Sequence, residues 1–156
     1  MIFTTVGTQA PFDRLLKIVD SIAEEIQEEI IVQTLRGHYT PKNVRQVDFL
    51  PPNEFDELFL KARLVVAHAG MGTIISAMKY NKPIIIFPRI ASLGEHRNEH
   101  QMATAHQMER MGFVYVAYDE MKLRELMLSL DLKTLHHLDD YASTSLIDNI
   151  KSFIEE

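Results

Sequence analysis

Short runs of β-branched and apolar residues alternate here with segments of helical length, and that alternation constrains this chain more than any other feature. Ile2 to Val6 is such a run, ending at Gly7. Ile30 to Thr34, Val44 to Leu50, Leu64 to His68, Pro83 to Pro88 and Phe113 to Ala117 follow. Between the first two, Phe12, Leu15, Leu16, Val19, Ile22, Ala23 and Ile26 keep the i, i+3, i+4, i+7 spacing of one helical face, with Pro11 at the first turn. Further helices are expected from an Asn53 N-cap through Ala62, from Thr73 to Tyr80, from Glu95 to Met111 and from Asp119 to Leu130. A last amphipathic stretch begins near Ser145, and Arg36 to Asn43 reads as a loop. Strands separated by helices make βαβ units. The expected class is therefore α/β: a Rossmann-like parallel sheet with helices on both faces, with residues 1–156 as one domain.

Composition removes several functions. Hydrophobic residues at 46% and charged residues at 24% exclude intrinsic disorder. The net charge of −6 argues against a nucleic-acid binder. With no cysteine there is no disulfide framework, zinc-thiolate site or cysteine nucleophile. The N-terminus lacks the basic and apolar regions of a signal peptide, and no window suits a membrane span, so a cytoplasmic protein is expected. The eight methionines read as core filler.

In such a sheet ligands sit beyond the carboxyl ends of the strands. The strand-end segments here are Gly7-Thr8-Gln9, Leu50-Pro51-Pro52, His68 to Thr73 and Arg89 to Gln101, also the richest in Gly, Thr, His, Asn and Arg. In His68-Ala69-Gly70-Met71-Gly72-Thr73 a strand meets a helix. Glycine there admits a phosphate to the backbone, and the helix N-terminus favours an anion; a plain tight turn would use glycine equally well. Neither a P-loop nor G-x-G-x-x-G is present. His96 and His100 have the i, i+4 spacing of metal ligands, but Arg97 stands where a zincin carries Glu and would repel a cation. Metal binding is not expected. Residues 79–100 hold four cations, Lys79, Lys82, Arg89 and Arg97, against Glu95 and Glu99, a positive patch suited to an anion. Asp13 and Asp56 read as ordinary charged faces, and Ser76 lacks the histidine partner of a hydrolase triad.

Met1 to Gln9 with Pro11 to Arg14, His68 to Thr73, Lys82-Pro83, Pro88-Arg89 and Asn98 to Gln101, in that order, resemble the family-28 glycosyltransferase C-terminal domain. Within it the chain is most similar to small subunits of two-part bacterial capsule and exopolysaccharide glycosyltransferases. The soluble subunit of the eukaryotic dolichol-linked N-acetylglucosaminyltransferase is a more distant relative. The resemblance covers Met1 to about Val116 and implies the C-terminal half of a GT-B enzyme, with UDP-sugar as donor substrate and no further cofactor.

The resemblance also implies roles. Gly7, Thr8 and Gln9 face the cleft, Phe49 and Leu50 meet the uracil, His68 to Thr73 bind the diphosphate, and Asn98 and Gln101 approach phosphate or sugar. Arg89 is expected to face the diphosphate. Where relatives hold the ribose with Glu, this chain has Ser76, which could donate one hydrogen bond. The implied chemistry is inverting transfer without a metal, helix N–H groups and cations stabilising the leaving diphosphate. The general base would come from a membrane-associated acceptor-binding subunit that holds this chain peripherally at the inner face of the membrane. Homo-oligomerisation of the isolated chain stays open. The alternatives are a non-catalytic nucleotide-sugar-binding or regulatory module and a flavodoxin-like or response-regulator-like signalling domain; a receiver domain would carry an acidic cluster after the first strand, where Thr4-Thr5-Val6-Gly7 supplies none.

Overall fold

The computed structural model describes residues 1–35 and 37–139; the amphipathic stretch expected from Ser145 lies outside them. Among the described residues the elements run β1 (Ile2–Thr5), α1 (Asp13–Ala23), β2 (Ile30–Gln33), β3 (Arg45–Val47), α2 (Pro52–Lys61), β4 (Leu64–Ala67) and α3 (Met71–Lys79). They continue with β5 (Ile84–Ile86), a 3-10 turn (Ala91–Leu93), α4 (His100–Arg110), β6 (Tyr115–Val116) and α5 (Glu120–Leu128). The six strands form one parallel sheet of order β3-β2-β1-β4-β5-β6. Ile2 pairs with both Ile30 and Leu64, so β1 is flanked by β2 and β4. The Rossmann-like expectation is met.

Alternation along the strands divides the core. Ile2, Val32, Leu64, Val66 and Ile85 face one side, where they pack with Leu15, Leu16, Val19 and Ile22 of α1 and with Leu123, Leu126 and Met127 of α5. Phe3, Ile31, Val65, Ile84 and Ile86 face the other, against Phe59 of α2, Ile74, Ala77 and Met78 of α3 and Ala105 of α4. Buried on both faces, β4 and β5 read as continuous apolar runs, and β1 buries Thr4 and Thr5 beside Ile2 and Phe3. No helix among the described residues is long and apolar enough to cross a membrane.

Several boundaries shift from expectation. α1 starts at Asp13, with Phe12 at the N-cap, which leaves Pro11 outside the first turn. Pro51 rather than Asn53 precedes α2, whose first residue is Pro52, because proline's missing N–H costs nothing at N1. α3 begins at Met71, directly after Gly70, two residues before the Thr73 expected. The largest change is in α4, which starts at His100 and not at Glu95. The Glu95 carboxylate is drawn away from the helix to Arg14 and the Ile90 N–H, and Asn98 Oδ1 accepts from His100 N–H at the true start.

Winding reverses between β1 and β4. The segments leaving those two strands diverge to opposite faces of the sheet and leave a crevice at their carboxyl ends.

Candidate functional site

That crevice is an open cleft of about 1060 Å³. Every residue given a donor-site role above lines it: Gly7, Thr8 and Gln9 after β1; Phe49 and Leu50 after β3; His68, Ala69 and Gly70 after β4; Met71, Gly72, Thr73 and Ser76 on α3; Arg89, Asn98 and Gln101 after β5. Two kinds of surface meet in it. Phe49, 64% exposed, and Phe55 form an apolar wall at the β3 edge, whereas the start of α3 is polar backbone.

Gly70 takes the N-cap position of α3 and offers no side-chain cap, and the first turn carries no carboxylate. The N–H groups of Met71, Gly72 and Thr73 therefore face the cleft without an intrahelical partner, at the positive end of the helix. Gly7, at φ +79°, turns the chain after β1 in a conformation that side chains disfavour. A β-carbon there would lie 2.4 Å from His68 Nε2, and one on Gly70 would lie 2.2 Å from His68 Cε1. The imidazole is clasped between the two glycines, so both serve to admit it.

Gln101 orients that ring. Its Oε1 accepts from the Arg89 backbone N–H (3.1 Å), which leaves its Nε2 to donate to His68 Nδ1 (3.0 Å). His68 is thereby the tautomer whose Nε2 carries the proton. Burial, reinforced by the Arg89 charge, pushes its pKa down from 6.5 to about 4, and the Gln101 amide, donating to Nδ1, requires that nitrogen unprotonated. At neutral pH the ring is an uncharged donor. The unfolded chain takes up the His68 proton near pH 6.5 and the native state only near 4, so over that window the unfolded state binds more protons. Stability present above pH 6.5 is expected to fall as pH drops through about 4, by roughly 3 kcal/mol from this group alone. Urea midpoints across the window, with the His68 Cε1–H resonance as site marker, check this; a resonance titrating near 6.5 would contradict it.

Four expectations are corrected by the geometry. Arg89 does not turn its guanidinium toward a diphosphate: it is 3% exposed and donates to the carbonyls of Val6 (2.9 Å), Ala10 (2.6 Å), Pro11 (2.6 Å) and Glu95 (3.3 Å), stacked 4.4 Å over the Phe12 ring. It bolts the loop after β1 to the loop after β5. The Ser76 hydroxyl spends its proton on the Gly72 carbonyl (3.0 Å), one turn back, and can only accept from a ligand. The positive patch is not assembled. Lys82 donates to the Leu60 and Ala62 carbonyls and Lys79 ends α3, both outside the cleft, which among these four cations is lined by Arg89 and Arg97. Finally, His96 precedes α4, so it does not share a helix face with His100; its Nδ1 meets Asn98. Among the described residues no group of three His, Asp or Glu is placed to hold a metal ion.

Motif and spacing give no site role to Glu95 or Gln33. Glu95 grips Arg14 through both oxygens (2.6 and 2.8 Å) and so anchors the 89–97 loop; Gln33 is a buried amide in the cleft. A glutamine ending an otherwise apolar buried strand was the available signal for the second.

Comparison with known proteins agrees with this layout. Residues 1–155 match the glycosyltransferase family 28 C-terminal domain. Aclacinomycin-T 2-deoxy-L-fucose transferase of Streptomyces galilaeus is 26% identical over 150 residues, 96% of this chain and 28% of that protein. The UDP-N-acetylglucosamine transferase subunit ALG13 of Mus musculus is 27% identical over 124 residues, 72% of this chain and 10% of that protein. The chain thus spans about a quarter of the first relative and a tenth of the second. The solved structure of the spinosyn forosaminyltransferase SpnP superposes with a TM-score of 0.62 at 17% identity, over 99% of this chain and 43% of that one. The fold is that of the C-terminal half of a GT-B glycosyltransferase. By its sequence the chain belongs to the glycosyltransferase family 28 C-terminal domains.

Proposed function

We infer that this chain is the donor-binding unit of an inverting, metal-independent glycosyltransferase that takes its sugar from a UDP-sugar. The observation that carries the reading is the uncapped N-terminus of α3, opening into the cleft at the β1/β4 reversal beside an uncharged His68 N–H. Backbone donors and a helix dipole suit the charge that accumulates on a departing nucleoside diphosphate, and they need no metal to do so. His68 Nε2 adds a donor that stays uncharged at neutral pH, and the Phe49 and Phe55 wall suits a flat base. Arg89 and Glu95 hold the two loops that shape the cleft. Deprotonating the acceptor hydroxyl falls to a general base on an acceptor-binding subunit. That partner is membrane-associated in this reading, presents a lipid-linked saccharide for cell-surface polysaccharide synthesis and keeps this chain at the inner face of the membrane. The matched relative named as a transferase subunit supports division of labour between chains.

Isothermal titration of the purified chain tests the donor site. UDP is expected to bind one to one, about 10-fold or more tighter than uridine and unchanged by EDTA. Equal affinity for UDP and uridine would remove the diphosphate from the α3 N-terminus, and no binding of UDP or UDP-sugars at millimolar concentration would end the reading.

A further inference from the structure

Gln33 ends β2 inside the cleft and belongs to none of the motifs that define it. Its side chain is 3% exposed, yet only half of its amide is accounted for. The Gly7 N–H donates to Thr5 Oγ1 (3.2 Å), which frees the hydroxyl proton of Thr5 to be donated to Gln33 Oε1 (2.8 Å). The direction of this chain is set by a backbone N–H that can only donate, so it fixes which end of the amide is oxygen. The Nε2 group, with two protons, has no hydrogen-bond partner among the described residues. Sealed side-chain atoms without a partner are Thr4 Oγ1 and Asp13 Oδ1 among the described residues; Gln33 Nε2 instead opens on the cleft, where a ligand's acceptor can reach it.

We propose that Gln33 is the residue that holds the pentose of the nucleotide, its Nε2 donating to a ribose hydroxyl oxygen. The assignment rests on the donor-site reading above and follows from the strand order. The apolar wall of Phe49 lies beyond β3, the anion-binding start of α3 lies beyond β4, and β2 with β1 stands between them. In any nucleoside diphosphate the part between base and diphosphate is the pentose. Its hydroxyl oxygens accept hydrogen bonds, and Gln33 is a buried donor at that intermediate place. The Thr5–Gly7 chain keeps the amide from flipping, so the site is preorganised before ligand arrives.

Titration calorimetry with UDP, uridine, 2′,3′-dideoxyuridine diphosphate and inorganic pyrophosphate tests this on the full chain. Gln33→Leu is expected to weaken UDP and uridine by a similar factor, about 10-fold, and to leave pyrophosphate unchanged. The dideoxy analogue should bind the unmutated chain less well than UDP and lose nothing further on substitution. Gln33→Met is the second variant should the leucine variant fail to fold: it keeps the length of the side chain but carries no N–H, so the same loss of about 10-fold with UDP and uridine is expected. UDP affinity unchanged in a folded variant, an equal loss for pyrophosphate, or a penalty that persists with the dideoxy analogue would each overturn the proposal. If the unmutated chain binds no UDP, the donor-site reading itself fails; if it binds UDP and the Gln33 variants bind as well, the pentose assignment alone fails.

Discussion

Gly70→Val is expected to reduce UDP affinity by about 100-fold or more while the fold survives. The backbone at Gly70 (φ −87°, ψ 127°) is extended, so a β-branched residue meets no conformational penalty there. What it meets is the imidazole. The new β-carbon would lie 2.2 Å from His68 Cε1, 2.7 Å from Nε2 and 3.0 Å from Nδ1, distances that no contact tolerates. The ring must leave its seat, which breaks the Gln101 hydrogen bond and moves the Nε2 donor, and the valine methyls stand in front of the α3 N–H groups. One substitution thus removes two sets of donors. Calorimetric titration with UDP gives the loss, with far-UV circular dichroism as the check on folding. An affinity within threefold of the unmutated chain would take the glycine turn out of the site.

Arg89→Met is expected to act on stability first. Four backbone carbonyls, of Val6, Ala10, Pro11 and Glu95, lose their donor together, and methionine offers none. For a buried guanidinium with four of its five N–H groups engaged the cost is about 3–5 kcal/mol, or a fall in Tm of about 10 °C for a chain of this size. The stack on Phe12 is lost as well, though the methionine stem replaces part of its packing. Below the new transition UDP and uridine should weaken to a similar extent, because the loops after β1 and β5 loosen around the whole ligand. A variant with unchanged Tm and a loss confined to UDP would instead make Arg89 a direct diphosphate contact. Thermal denaturation followed by titration of both ligands separates the two outcomes.

These two residues also show how far the sequence could be read. The glycine turn was legible because its chemistry is local: strand, glycine and helix start are consecutive, and the α3 donors follow from that order alone. Arg89 was legible as a charge near a strand end but not as a bolt, since three of the four carbonyls it binds lie some 80 positions earlier in the chain. The same limit applies to Gln101. Its place near the site could be read, whereas its grip on His68, 33 residues away, could not. Lys79 and Lys82 failed for the opposite reason. They neighbour Arg89 in sequence, but β5 carries the chain from one end of the sheet to the other, so they finish at the end away from the cleft.

Periodicity sees helices and strands because each is stabilised by its own neighbours, and it missed the start of α4 where a distant partner, Arg14, competes for Glu95. By itself, then, the sequence determined the order and type of the elements, the two-sided sheet and the strand ends on which a ligand would fall, all consequences of apolar spacing and of glycine at a strand-to-helix junction. Only the tertiary structure decided which polar groups remain free to meet that ligand. Hydrogen-bond partners are allotted by proximity in space, and in a sheet wound as β3-β2-β1-β4-β5-β6 the residues that compete for one donor come from segments far apart along the chain.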